Sequence, residues 1–205
     1  MKISLFAGDV SAAPAEALCA STNPRLSLVM GTGASIRSRG GFEILRACEA
    51  IVGADEQRSG SRGLAAGSVH ATTAGQLPAK IVVHCVASDN AHHSSAAIIR
   101  SCVTGALAAA DAAGCASIAM PLFGTGHARF KIENAVVAMA EALRDAITSV
   151  RHVIVVVHDA EDVSDAVRVM RSAIPNCEID VVDGPLNAAE RRGLRSSAWG
   201  EHDEI

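Results

Sequence analysis

The stretch that most constrains this chain is residues 117–130, SIAMPLFGTGHARF. Its first five residues are short, apolar and partly β-branched, and they follow a long Ala-rich run of helical period, so they read as a buried strand. Gly124, Thr125 and Gly126 then break the periodicity. From Lys131 the apolar spacing returns at helical period through Ile132, Ala135, Val136, Met139, Ala140 and Leu143. A strand, a glycine loop and a helix in that order expose backbone N–H groups beside the positive end of a helix, which makes a place for a phosphate. The plainer reading is that Gly124 and Gly126 simply let the chain turn after a strand.

A second glycine segment strengthens the first reading. Met30-Gly31-Thr32-Gly33-Ala34-Ser35-Ile36 again precedes a helical pattern, expected from about Ser35, loosening at Gly40-Gly41 and continuing to Ile51. Neither segment is a P-loop, because no Gly-Lys-Ser/Thr follows, and both lack the third glycine of a dinucleotide fingerprint. Two such segments, each between an apolar strand and a helix, suit one phosphate-rich ligand held from two sides.

The rest of the chain alternates in the same way. Residues 2–6 predict a first strand ending at Gly8-Asp9, where Asp9 is either a turn residue or an acceptor for a ligand. Residues 17–20 lead to Ser21-Thr22-Asn23-Pro24, and Pro24 holds Asn23 extended. Residues 54–67 read as an exposed loop, 69–73 and 81–85 as strands, and 95–113 as an Ala-rich helix ended by Gly114. His84 closes an apolar strand and reads as a hydrogen-bonded core histidine. His92 and His93 sit in a polar loop and, being adjacent, make a poor metal pair. Residues 152–157, HVIVVV, are the most β-like run and predict a central strand, followed by Asp159, a helix over 163–173 and a last strand over 178–182. This alternation implies an α/β layer with a mostly parallel sheet, where ligands sit at the carboxyl ends of strands. Asp9, Asn23, both glycine segments and Asp159 all follow predicted strands.

At 205 residues the chain suits one domain, residues 1–183, with a polar tail over 184–205 that contains Trp199. With no Tyr and one Trp, the core must be built from Ala, Val, Ile and Leu. The net charge of −4 excludes a global attraction for nucleic acid or acidic membranes, so an anion site must be local. The six cysteines form no CxxC pair and lie mostly in apolar runs, which argues against zinc or disulfides and fits a reducing cytoplasm. No signal peptide or membrane span is expected, and nothing in the pattern requires a cofactor or a metal.

With those residues in place, the chain resembles the macrodomain family of ADP-ribose-binding α/β modules, over about residues 3–173. Gly8-Asp9-Val10 stands at the family's Gly-Asp-Ile/Val turn, and Ala20-Ser21-Thr22-Asn23 where the family has Asn-Ala-Ala-Asn. Gly31 to Ile36 stands at its first phosphate loop. Leu77-Pro78-Ala79-Lys80 with Val83-His84-Cys85-Val86 resembles its Leu-Pro-Ala-Lys and Ile-His-Thr-Val run. Pro121 to Gly126 resembles its Pro-Ala-x-Ser/Gly-Thr-Gly loop. The resemblance implies a three-layer α/β/α fold with a mixed, largely parallel central sheet.

It also implies roles. Asp9 would accept from the exocyclic amine of adenine, with the Val10 backbone helping to hold the ring, and Asn23 would hydrogen-bond the distal ribose. Backbone N–H groups of Gly31, Thr32, Gly33, Ala34 and Ser35, and of Leu122, Phe123, Gly124, Thr125, Gly126, His127 and Ala128, would surround the diphosphate. Asp159 would border the adenine, and Arg129 would add a charge to the diphosphate or stay solvated. The departures bear on activity. The family's first Asn is Ala20 here, and the acidic residue that helps activate water in hydrolytic members aligns with Gly33, which cannot act as a base. Ala128 replaces the aromatic on the distal ribose. Asn23 and His127 are then the remaining candidates for catalysis.

The function implied is binding of ADP-ribose or ADP-ribosylated protein. The alternative is hydrolysis of an ADP-ribosyl ester, O-acetyl-ADP-ribose or a 1″-phosphate. An RNA-binding module is the third reading, and the acidic balance and scarce aromatics argue against it.

Overall fold

The computed structural model describes residues 1–175, 177 and 179–182, so the expected tail with Trp199 lies outside the described residues. Seven strands form one sheet: β1 Lys2–Ala7, β2 Ala17–Thr22, β3 Val69–Thr73, β4 Ile81–Val86, β5 Ser117–Pro121, β6 His152–Val157 and β7 Ile179–Val182. Their spatial order is β3-β4-β2-β5-β6-β1-β7. Every pairing is parallel except β3 with β4, which is antiparallel. The β-branched run of β6 lies between β5 and β1, in the sheet interior as its apolar sequence requires.

The two-residue period of the strands divides the core into two layers. Ile3, Leu5, Cys19, Val83, Cys85, Met120 and Val155 pack against α3 (Ala96–Ala112), α4 (Ile132–Arg144) and α5 (Val163–Ala173). The alternate residues Phe6, Leu18, Ala20, Val82, Ala119 and Val156 pack against α1 (Gly31–Gly40) and α2 (Phe42–Ser59). The result is three layers, helices on both faces of the sheet. The small residues of α3 bring it close: a Cβ on Gly105 would come within 2.7 Å of Val69. Ser95 caps α3 by accepting from the Ile98 N–H, and Gly114 follows it at φ +62.

Four boundaries differ from expectation. Helix α1 starts at Gly31, so Gly31 to Ser35 are its opening turns, and the N–H groups to consider are those of a helix terminus. Helix α2 runs on to Ser59, because Glu56, Gln57 and Arg58 are good helix formers and Asp55 pairs with Arg58 one turn on. Strands β2 and β4 reach Thr22 and Val86, because the two stay paired in register through Ser21↔Cys85 and Thr22↔Val86. His84 is a fully buried core residue: its Nε2 lies 2.9 Å from Thr72 Oγ1, and Cys48 Sγ packs against the ring at 3.5 Å. The Thr72 hydroxyl also lies 3.0 Å from the Thr73 carbonyl, so the ring and that carbonyl share one hydroxyl partner. Among the described residues no helix is long and apolar enough to cross a membrane.

Candidate functional site

The parallel strands deliver the segments after β1, β2, β4, β5 and β6 to one edge of the sheet. Within that edge β2 and β5 are neighbours whose following helices lie on opposite faces, α1 on one and α4 on the other. Such a switch point opens a crevice beyond the carboxyl ends of the strands. Here the strands also part early, pairing only at Ala17↔Ile118 and Leu18↔Ala119. The Thr22 carbonyl accepts from Ala87 on the β4 side, so Ser21 one residue earlier turns its N–H toward the gap. Thr32 Oγ1 takes that donor at 3.1 Å, tying the start of α1 to the freed strand edge.

The first wall of the crevice is the N-terminus of α1. Met30 precedes it without a side-chain cap, and the first turn carries no acidic residue. The N–H groups of Gly31, Thr32 and Gly33 have no acceptor among the described residues, and the first satisfied donor is Ala34, bonded to the Met30 carbonyl at 3.2 Å. Gly31 adopts φ +54 where the chain enters the helix, a conformation that favours glycine. Arg37 and Arg39 in the last turn complement the dipole at the other end. The arrangement is an uncapped positive helix end at the carboxyl edge of the sheet.

The second wall is the loop from Leu122 to Lys131. It is a tight backbone turn, closed by Phe130 N–H to the Gly124 carbonyl at 3.0 Å and Arg129 N–H to the Gly126 carbonyl at 2.9 Å. Thr125 spends its hydroxyl on the Leu122 carbonyl at 2.9 Å. The N–H groups of Gly124, Thr125, Gly126, His127 and Ala128 have no acceptor among the described residues. Gly124 sits at φ +76, with Ser94 Oγ only 2.6 Å from where a Cβ would stand, whereas a Cβ on Gly126 would meet open space. The loop therefore carries a row of backbone donors with no side chain at Gly124 and Gly126.

Family comparison decides what kind of domain this crevice belongs to. The macro domain profile matches residues 19–139, more than half of the chain. The chain belongs to the macro domain family. A macro domain-containing protein of Streptomyces coelicolor is 32% identical over 161 residues, covering 77% of this chain and 92% of that protein. A protein of Pantoea vagans named O-acetyl-ADP-ribose deacetylase 1 is 28% identical, over 78% of this chain and 94% of that one. Among solved structures, a mutant Oceanobacillus iheyensis macrodomain with ADPR has a TM-score of 0.74 at 22% identity, covering 84% of this chain and 93% of that one.

In this macro domain the segments singled out from sequence follow strands that end at the one edge. Asp9 caps the 3₁₀ turn Val10–Ala12, and its Oδ1 accepts from Ser11 N–H at 2.7 Å and from Ser35 Oγ at 2.8 Å. The Val10 side chain is buried, leaving only its backbone for a ligand. Asn23 Oδ1 accepts from the N–H groups of Arg25 and Ser27, so its amide NH₂ is the part left to donate. Leu122 and Phe123 point into the core and have only backbone to offer. Asp159 precedes a second 3₁₀ turn, Ala160–Asp162, in an acidic group. There burial, then Asp159, Glu161 and Asp165, push the Asp162 carboxyl above its usual range.

Gly33 is a packing glycine: a Cβ there would lie 3.1 Å from Leu28 Cα and 3.3 Å from the Ser27 carbonyl. His127 is exposed, and its ring meets His92 edge-on with centroids 4.4 Å apart. The Arg129 guanidinium makes no ion pair among the described residues, and its backbone adopts φ +50. Sequence reasoning missed the loop after β4 as a third wall. That loop is shaped by Asp89, which accepts from Ala91 and His93 N–H groups, the latter bond foremost in holding its carboxyl below the usual range. It sets His92 on His127 and Ser94 against Gly124. No local periodicity reports a contact between loops 30 residues apart.

Proposed function

We propose that this macro domain binds ADP-ribose, free or carried on a protein, with the diphosphate between the N-terminus of α1 and the loop after β5. What supports the reading is that the N–H groups of Gly31 to Gly33 and of Gly124 to Ala128, in segments that follow the neighbouring strands β2 and β5, have no acceptor among the described residues. Backbone donors and a helix dipole stabilise a dianionic diphosphate without needing a basic surface, which agrees with a chain of net charge −4. The strand order supports a direction for the ligand. Asp9 follows β1, on the far side of β6, and takes the adenine; Asn23 and the loop after β4 lie at the opposite end and border the distal ribose.

A second reading is hydrolysis of an acyl ester on the distal ribose, favoured by the name of the Pantoea vagans relative. Against it stands Gly33, which supplies no carboxylate and where even a Cβ would press on Leu28 and the Ser27 carbonyl. Binding without turnover is therefore the function the geometry supports best. Calorimetric titration with ADP-ribose, followed by incubation with O-acetyl-ADP-ribose and with ADP-ribosylated protein, separates the two. Expected is saturable binding of ADP-ribose with no released product. Product at a rate above buffer establishes the hydrolase, and no heat at millimolar ADP-ribose refutes both.

A further inference from the structure

Ser35 lies inside helix α1, where Ala is the better helix former and where a serine hydroxyl competes for backbone bonds. Its hydroxyl has two acceptors in reach, the Thr32 carbonyl at 3.2 Å and Asp9 Oδ1 at 2.8 Å. One hydroxyl donates one proton, and the shorter contact to an ionised carboxylate is the stronger. Asp9 Oδ1 therefore receives donors from two separate elements, Ser11 N–H of its own turn and Ser35 of α1, while among the described residues no hydrogen bond is made at Oδ2. Two donors on one oxygen hold the carboxylate in one rotamer and leave the other oxygen without a partner among the described residues.

We propose that Ser35 is a positioning residue for base recognition: its bond to Asp9 Oδ1 aims Oδ2 at the ligand, so the site prefers a base with an exocyclic amine to one with a carbonyl at that place. The inference rests on the reading above that Asp9 meets the base of ADP-ribose. The same bond links the helix end that receives the diphosphate to the carboxylate that receives the base. An adenine amine donates to Oδ2, whereas the carbonyl oxygen of hypoxanthine faces it lone pair to lone pair. Without the Ser35 hydroxyl, Asp9 keeps only Ser11 N–H and can swing away from either base, which weakens the attraction for one and relieves the repulsion of the other.

The test is calorimetric affinity for ADP-ribose and for its hypoxanthine counterpart, inosine diphosphate ribose, in wild type, Ser35→Ala and Ser35→Thr. Circular dichroism is recorded for each variant. Expected for Ser35→Ala is a loss of about tenfold in the adenine-over-hypoxanthine preference, the scale of one hydrogen bond to a charged group. Ser35→Thr, which keeps a hydroxyl, restores the preference. Equal loss for both ligands in Ser35→Ala shows a merely structural role and overturns the inference, as does an unchanged preference. Wild type that binds neither ligand, or binds both equally, refutes the parent reading of Asp9, an outcome distinct from a discriminating wild type with an indifferent Ser35→Ala. Should Ser35→Ala fail to fold, Ser35→Cys takes its place, with the same preference ratio deciding.

Discussion

His84 sets up a quantitative prediction about acid stability. Its ring is fully buried, and burial, with His70 opposite on β3 adding repulsion, lowers its pKa from 6.5 to about 4. Protonating it would place a cation between Cys48 and Thr72, where one hydroxyl and a weakly basic thiol cannot replace water. Because the folded pKa lies below the unfolded one, the unfolded chain binds the extra proton between about pH 6.5 and 4. Stability is therefore intact above pH 6.5 and lost as pH falls toward 4. The full gap corresponds to about 3.4 kcal/mol, of which about 2 kcal/mol has been lost at pH 5. Other groups titrate over the same range, including His70 and His152, which burial also lowers. The measurement is therefore a difference of differences: urea unfolding at pH 8 and pH 5 for wild type and for His84→Gln, which cannot charge. Wild type is expected to lose about 2 kcal/mol more than the variant, about 1 M in urea midpoint at an m of about 2 kcal/mol per molar. Equal losses in the two proteins would show that His84 is not held neutral by its surroundings.

Two further substitutions probe the crevice. Gly126→Glu adds its side chain into open space at a residue without positive φ, so its unfolding free energy should stay within about 0.5 kcal/mol of wild type. ADP-ribose affinity should fall by more than about 100-fold, about 2.7 kcal/mol, by calorimetry, and an unchanged affinity removes the loop after β5 from the site. Gly33→Asp, which restores the acid of hydrolytic relatives, should destabilise by about 1–3 kcal/mol, because its Cβ presses on Leu28 and the Ser27 carbonyl. It should gain no esterase activity against O-acetyl-ADP-ribose; turnover in that variant would show that Gly33 alone had silenced the site.

Much of this architecture was legible in the sequence, for a local reason. Strand and helix periods are written in neighbouring residues, so HVIVVV and the Ala-rich run before Gly114 predict β6 and α3 closely. Parallel connectivity then requires that segments following strands gather at one edge, which is why Asp9, Asn23, both glycine segments and Asp159 were recognisable as one group. Helix α1 starts at Gly31, four residues before the Ser35 that the sequence suggests, because glycines read as loop when nothing local shows what lies beside them. Their roles proved to differ: Gly31 bends, Gly33 packs on Leu28, Gly124 makes room for Ser94, and Gly126 stands open.

What the linear order determined by itself is the alternation of elements, the composition of the core and the family to which the chain belongs. Only the tertiary structure decided the early parting of β2 from β5, the commitment of Asn23 Oδ1 to its own backbone, the contact of His92 with His127 and the bond from Ser35 to Asp9. The physical reason is that periodicity records how a residue meets the core, whereas a hydrogen bond across 26 residues depends on where two separate elements come to rest.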